Sequence, residues 1–189
     1  RDDVEAIVMT HAHVDHIGFA AEANASGTEV RASEIEAPLA RGEQKVHAAG
    51  IAQLPLWKSG TWKFLIGMMR VGALKAPSVK HVVTFSDGEV LDLPGNPHVV
   101  YSPGHTVGHA SFYLPASKTL FSGDALVTRD LLAHRDTDPQ LMPDVFHTDP
   151  AQAKASLDVL GALDTDLVLP GHGSPYKGQA AEAVRIATS

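Results

Sequence analysis

Three histidines and an aspartate fall within six residues near the start of the chain, in HAHVDH at 11–16. Neutral imidazole and carboxylate are borderline ligands, suited to Zn2+ and other first-row divalent metals. On an extended loop, side chains at alternate positions share a direction, so His11 and His13 point the same way. Asp15 and His16 leave the turn that follows and reach a neighbouring point. One short stretch therefore offers ligands to two metals. Asp15 is also placed to orient a nucleophile or to carry its proton. Two metals need more ligands than these four, and three further stretches suit the task. SPGHTVGH (102–109) sets His105 behind a Pro-Gly turn, FSGDAL (121–126) sets Asp124 behind Gly123, and LPGHGSP (169–175) repeats Pro-Gly-His at His172. Each follows an apolar segment and lies in a glycine-bearing loop, where backbone packs close to a ligand cluster.

Several elements must hold these loops. EAIVMT (5–10) reads as a buried strand, THAHVDH as a loop, and IGFAAEANAS (17–26) as a helix leaving it. TEVRAS (28–33) is a second strand. SEIE (33–36) matches a capping box, with Ser33 as N-cap and Glu36 reaching back to it. From residue 81 the period becomes two. HVVTFSDGEVLDL carries Asp87-Gly88, a hairpin signal, and PHVVYSPG and ASFYLPASKTLFSGD read as further strands. TDPAQAKASLDVLGAL is a helix with Asp149 as cap and Pro150 at its first position. TDLVLPGHG is a strand running into a loop, and KGQAAEAVRIATS a closing helix.

Residues 55–76 are the most apolar stretch, and Gly60, Gly67 and Gly72 interrupt it. A membrane span takes about 20 apolar residues, so a core or lid helix is expected, with a wall of the substrate pocket as the functional alternative. On that alternative Trp62 and Met68 contact substrate. His47, His81, His98, His134 and His147 lack motif context and read as surface or satisfied core. Of these, His134 follows Asp124 closely enough to overlook the site.

Composition narrows the field. The 189 residues carry a formal charge of −7 and no cysteine. Thiolate chemistry and a disulfide framework are excluded, and the scattered cations argue against a nucleic-acid partner. The expected setting is the cytoplasm. The expected partner is a small-molecule substrate, without nucleic acid or membrane, and a homodimer stays open. Residue 1 is Arg, which reads as a processed or truncated beginning.

Taken in order, HAHVDH, PGHTVGH, SGD and PGHG resemble the metallo-β-lactamase superfamily of dinuclear metallohydrolases, over essentially the whole chain. The resemblance implies an α+β fold, a four-layer αββα sandwich of two similar halves. Here it would be a single domain over 1–189 with a helical insertion at about 33–78. It implies that His11, His13 and His105 hold one metal, that Asp15, His16 and His172 hold another, and that Asp124 bridges them. His109 is implied to be structural. Such folds place several strands before HxHxDH, so the chain is expected to lack its N-terminal strands and EAIVMT to expose an edge.

The implied chemistry is hydrolysis by a metal-bridging hydroxide, because a water held by two divalent metals loses a proton near neutral pH. Two divalent ions are expected, zinc first, with iron or manganese as alternatives. Family members that cleave β-lactams typically carry Cys or Ser where Asp124 stands, which argues against that substrate. Glyoxalase II enzymes add a C-terminal glutathione-binding region, whereas only 17 residues follow His172 here. Some lactonases place a Tyr shortly after the bridging Asp, and DALVTRD has none. A hydrolase of a small ester, thioester or lactone is the expectation. Two alternatives stand beside it: a mononuclear-iron persulfide dioxygenase, on GDALVTRD and RDTD, and a catalytically silent metal-binding fragment.

Overall fold

The computed structural model describes residues 4–44, 54–70 and 77–189. His47 and Gly72, and parts of the expected insertion, lie outside the described residues. Strand β1 (Ala6–Val8) is short and β-branched, and it pairs in parallel with β2 (Glu29–Ser33). Helix α1 (Val14–Ala25) joins them. Its buried face is Ile17, Ala20 and Ala23. Two alanines in that face let the helix lie close to Val30 and Ala32, the inward residues of β2. Helix α2 (Ala37–Ala40) follows at once, and α3 (Ser59–Arg70) is the other described helix before the second run of strands.

Strand β3 (Val83–Phe85) pairs in parallel with β2 and completes a three-stranded sheet in the order β1-β2-β3. This corrects the hairpin expected over 81–93. The Asp87-Gly88 turn, with Gly88 at φ 74°, passes the chain from the first sheet to the second. Beyond it Gly88 N–H donates to Val99 O (3.1 Å) and Val99 N–H to Glu89 O (2.8 Å). The second sheet uses β4 (His98–Tyr101), β5 (Ala110–Leu114), β6 (Thr119–Gly123), β9 (Leu167–Pro170) and β10 (Tyr176–Lys177), in the order β10-β9-β6-β5-β4. Strands β6 and β9 run parallel because α4 (Pro150–Gly161) lies in the crossover between them.

A two-stranded ribbon, β7 (Val127–Asp130) with β8 (Arg135–Gln140), has no counterpart in the sequence expectations. Asp130 Oδ1 stabilises its turn by accepting from Leu132 N–H and Ala133 N–H.

Among the described residues, three apolar clusters hold the elements together. One sets Ile17 and Ala20 of α1 against β1 and β2. A second sets Leu157 and Leu160 of α4, with Ala180 and Ala183 of α5 (Ala180–Ala187), against Leu120 and Val168. Each fully buried leucine contributes roughly 1.5–3 kcal/mol. The third joins the two sheets: Val8 and Phe85 from the first meet Val99, Ala110 and Phe112 from the second. The Phe85 and Phe112 rings stand edge to face at 5.5 Å.

Helix α4 also supports a site loop. Asp149 caps it, accepting from Gln152 N–H at 3.0 Å. Ser156 Oγ–H donates to Pro103 O (2.6 Å), and Asp149 N–H donates to Gly104 O (2.9 Å). Gly104 sits at φ +126°, where a Cβ would lie 2.1 Å from Ala153 N. Asp149→Ala is expected to cost about 1 kcal/mol, the ordinary worth of a cap. Gly104→Ala is expected to cost more, because it forces the loop off the helix. Urea unfolding of both variants checks the order; equal, negligible losses would show that the loop does not depend on this packing.

Candidate metal centre

The donors arrive from four connections. Thr10 and His11 lie just beyond β1, and His13 is the N-cap of α1 in extended geometry, with His13 O accepting from His16 N–H and Ile17 N–H. The helix begins inside the motif, at Val14, so Asp15 and His16 stand on its first turn rather than on a loop. A carboxylate there is favoured by the helix dipole. His105 follows the Pro103-Gly104 turn. Asp124 follows Gly123, which closes β6 at φ +52°. His172 follows Gly171 beyond β9, where a Cβ would lie 2.1 Å from Asp124 Oδ1 and 3.0 Å from His16 Cε1. Only glycine leaves room for the cluster.

The structure brings all seven expected donors together. His11, His13 and His105 form one set, His11, His16 and Asp124 a second, and Asp15, His16 and His172 a third, each with its donor atoms within 4.8 Å. Asp124 Oδ2 is the shared point. It lies 3.3 Å from His172 Nε2, 3.4 Å from His16 Nε2 and from His105 Nε2, and 3.8 Å from His11 Nε2. His172 Nε2 is also 3.4 Å from Asp15 Oδ2. His105 Nε2 and His13 Nδ1 face each other at 3.0 Å.

Burial and charge divide the set. Burial pushes His11 and His13 below the usual imidazole value and takes His105 down to about 2, so these rings are neutral donors. Burial acts the same way on His16 and His172, but Asp124 and Asp15 outweigh it, raising His16 and carrying His172 to about 10. Burial alone would raise Asp124; the His16 and His172 imidazoles against it hold it well below the carboxylate range. His11 Nε2, His16 Nε2 and Asp124 Oδ1 are buried without a hydrogen-bond partner. Buried donors left unpaired are costly, and a cation among them satisfies all three. Nitrogen and oxygen donors in these sets fit a divalent first-row metal.

His109 is fully buried and serves Asp124. Asp124 N–H donates to His109 Nε2 (3.0 Å). His109 Nδ1–H then donates to Ser102 Oγ (2.9 Å), which bonds Ser111 Oγ (2.7 Å), and Ser111 Oγ–H donates to Ser122 O (3.2 Å). Burial holds His109 neutral, down to about 4. This chain fixes its tautomer and aims Asp124.

Other expectations resolve differently. Trp62 is 53% exposed and donates its indole N–H to Leu56 O (2.8 Å), and Met68 is half-buried. Neither belongs to the gathered set. Helix α3 reaches inward through Phe64, whose ring is 5.4 Å from that of Phe146. His134 binds Gly60 O through Nε2 (3.3 Å), beside α3. His147, which has no motif, has its ring 5.6 Å from that of His105 and donates Nε2–H to Met142 O (3.0 Å). The expected capping box does not form: α2 starts at Ala37 with Glu36, not Ser33, as its N-cap, Glu36 N–H donates to Ser33 Oγ (3.2 Å) in the turn before it, and the Glu36 carboxylate turns to Ala12 and Gly108.

His109→Ala strands the buried Asp124 N–H. It is expected to cost roughly 1–3 kcal/mol and to lower metal retention while leaving every donor in place. His109→Gln, which restores an acceptor, is expected to lose less. Unfolding midpoints and bound-metal analysis read both; unchanged metal content in the alanine variant would refute the positioning role.

A family model described as the metallo-β-lactamase superfamily matches residues 1–172. The chain is 28% identical to a probable metallo-hydrolase, YflN, of Bacillus subtilis (strain 168), over 93% of this chain and 67% of that one. It is 40% identical to a hydroxyacylglutathione hydrolase of Ruegeria pomeroyi, over 46% of this chain and 31% of the relative. Among solved structures, TTHA1623 in a di-iron-bound form superposes with a TM-score of 0.64 at 28% identity, covering 97% of this chain and 76% of that one. The chain thus spans from under a third to about three quarters of these relatives. Among the described residues, no helix is long and apolar enough to cross a membrane. With donors in the order and place described, and the family model spanning them all, the chain belongs to the metallo-β-lactamase superfamily.

Proposed function

We propose that the chain is a metal-dependent hydrolase that holds two divalent ions, zinc in the first place, and cleaves a small ester, thioester or lactone. The observation that carries this reading is Asp124 Oδ2, within 3.8 Å of four imidazole nitrogens. His11, His13 and His105 would hold one ion and Asp15, His16 and His172 the other, with Asp124 between them. When bound, such a pair brings the pKa of a water toward neutrality and polarises a carbonyl. Asp15 is the exposed member of the set, so it is placed to orient the attacking water and to take up its proton. His109 keeps Asp124 aimed, and Gly171 keeps the backbone clear of it. On α3, Trp62 and Met68 are proposed to meet only the distal part of a substrate. The hydroxyacylglutathione hydrolase relatives support the thioester arm of the reading.

The test is metal analysis followed by a panel of esters, thioesters, lactones and β-lactams. Two zinc ions per chain are expected, with hydrolysis lost on chelation and regained when zinc is returned. One iron per chain, with oxygen uptake on a persulfide, would instead establish the dioxygenase reading. Metal binding without turnover anywhere in the panel would establish a silent metal-binding protein.

Asp124→Asn keeps the shape of the bridging side chain and removes its charge. It is expected to lose one ion and most hydrolysis, with the circular dichroism spectrum retained. Two ions and near-normal turnover in this variant would defeat the dinuclear assignment.

A further inference from the structure

Glu36 is 3% exposed, yet no cation is among its hydrogen-bond partners. Its two carboxylate oxygens each take a backbone N–H from a different donor loop. Ala12, between His11 and His13, donates to Oε2 at 2.9 Å. Gly108, three residues after His105, donates to Oε1 at 3.1 Å. Ser33 Oγ–H donates to Gly108 O at 2.7 Å and closes the same junction. The approach is tight: a Cβ on Gly108 would lie 2.7 Å from Ile35 Cβ and 3.0 Å from Glu36 Cγ. Buried carboxylates are costly unless their oxygens are satisfied, and both oxygens here are. Only a group that accepts at both oxygens suits two N–H donors. Two of the four donor connections are therefore tied to one side chain, at points beside His11, His13 and His105, with Asp15 and His16 further on in the first turn of α1.

We propose that Glu36 is the positioning residue of the three-histidine half of the centre, holding the His11–His13 loop and the His105 loop in the register that a metal requires. Selectivity follows from placement: Ala12 lies between His11 and His13 and Gly108 follows His105, whereas Asp15 and His16 stand on the first turn of α1 and His172 on a connection that Glu36 does not touch. The inference rests on the metal reading above and concerns which residue sets one half of it.

The test titrates metal-free protein with zinc against a chromophoric chelator. The wild type is expected to take two ions. Glu36→Ala is expected to weaken one of them by about 10–100-fold, the usual cost of losing a partner behind a ligand, and to leave the other unchanged. Glu36→Gln preserves volume and guards against misfolding. It is expected to shift the same ion, because its amide sets a donor against one of the two N–H groups. In a His105→Ala background, adding Glu36→Ala is expected to change nothing further, since the half it serves is already broken. Equal weakening of both ions, or a further loss in the His105→Ala background, would overturn the proposal and leave Glu36 as general support. A wild type that takes up no zinc would defeat the metal reading by itself. The amides then decide Glu36: slow hydrogen exchange at Ala12 and Gly108, lost in Glu36→Gln at those two alone, supports the tie between the loops. Unchanged exchange at both overturns it.

Discussion

One carboxylate oxygen constrains this structure more than any other atom. Asp124 Oδ2 stands among imidazole nitrogens of His11, His16, His105 and His172, on connections from both sheets. Asp124 is 2% exposed, so its charge cannot be solvated by water and must be balanced by what surrounds it. Everything close to it follows from that demand. Gly123 turns the backbone sharply, Gly171 passes without a side chain, and His109 takes the Asp124 N–H that no strand satisfies. The His16 and His172 imidazoles lie against Asp124 and hold its carboxyl well below the usual range.

The centre was legible where chemistry is concentrated in short stretches. HAHVDH, and the glycine-flanked His105, Asp124 and His172, name their ligands by residue type and loop chemistry alone, and the structure draws them together. Most strands and helices could be read as well, because α4 and β2 bury residues at regular spacing. What escaped depends on contacts between distant segments. Strand β8 has the sequence RDTDPQ, polar and interrupted by proline, and its Asp136 is held by Arg129 and Ser174 rather than by apolar alternation. Asp87-Gly88 carries a hairpin signal, yet its partner across the turn lies in the other sheet.

Glu36 shows the same limit at the scale of one side chain. Its local pattern describes the third residue of a helix behind a Ser33 cap, yet Glu36 is itself the N-cap of α2 and only its N–H meets Ser33. The carboxylate leaves the helix end because two backbone donors 24 and 72 residues away compete for it. Local preference is a weak prior when a buried group has tertiary partners available. His147 is a comparable case: no neighbouring residue marks it, and only the path of the chain after β8 sets its ring beside His105.

The donors are also far apart along the chain, from residue 11 to residue 172. Few contacts near in sequence assemble them, so an unfolded chain offers at best the HAHVDH fragment to an ion. An ion that demands donors from both ends is bound by the folded state and scarcely by the unfolded one, and its binding free energy becomes folding free energy. The centre is then a clasp between the two sheets as much as a place of chemistry. On the proposed reading, scarcity of metal would cost the molecule part of its stability together with its chemistry.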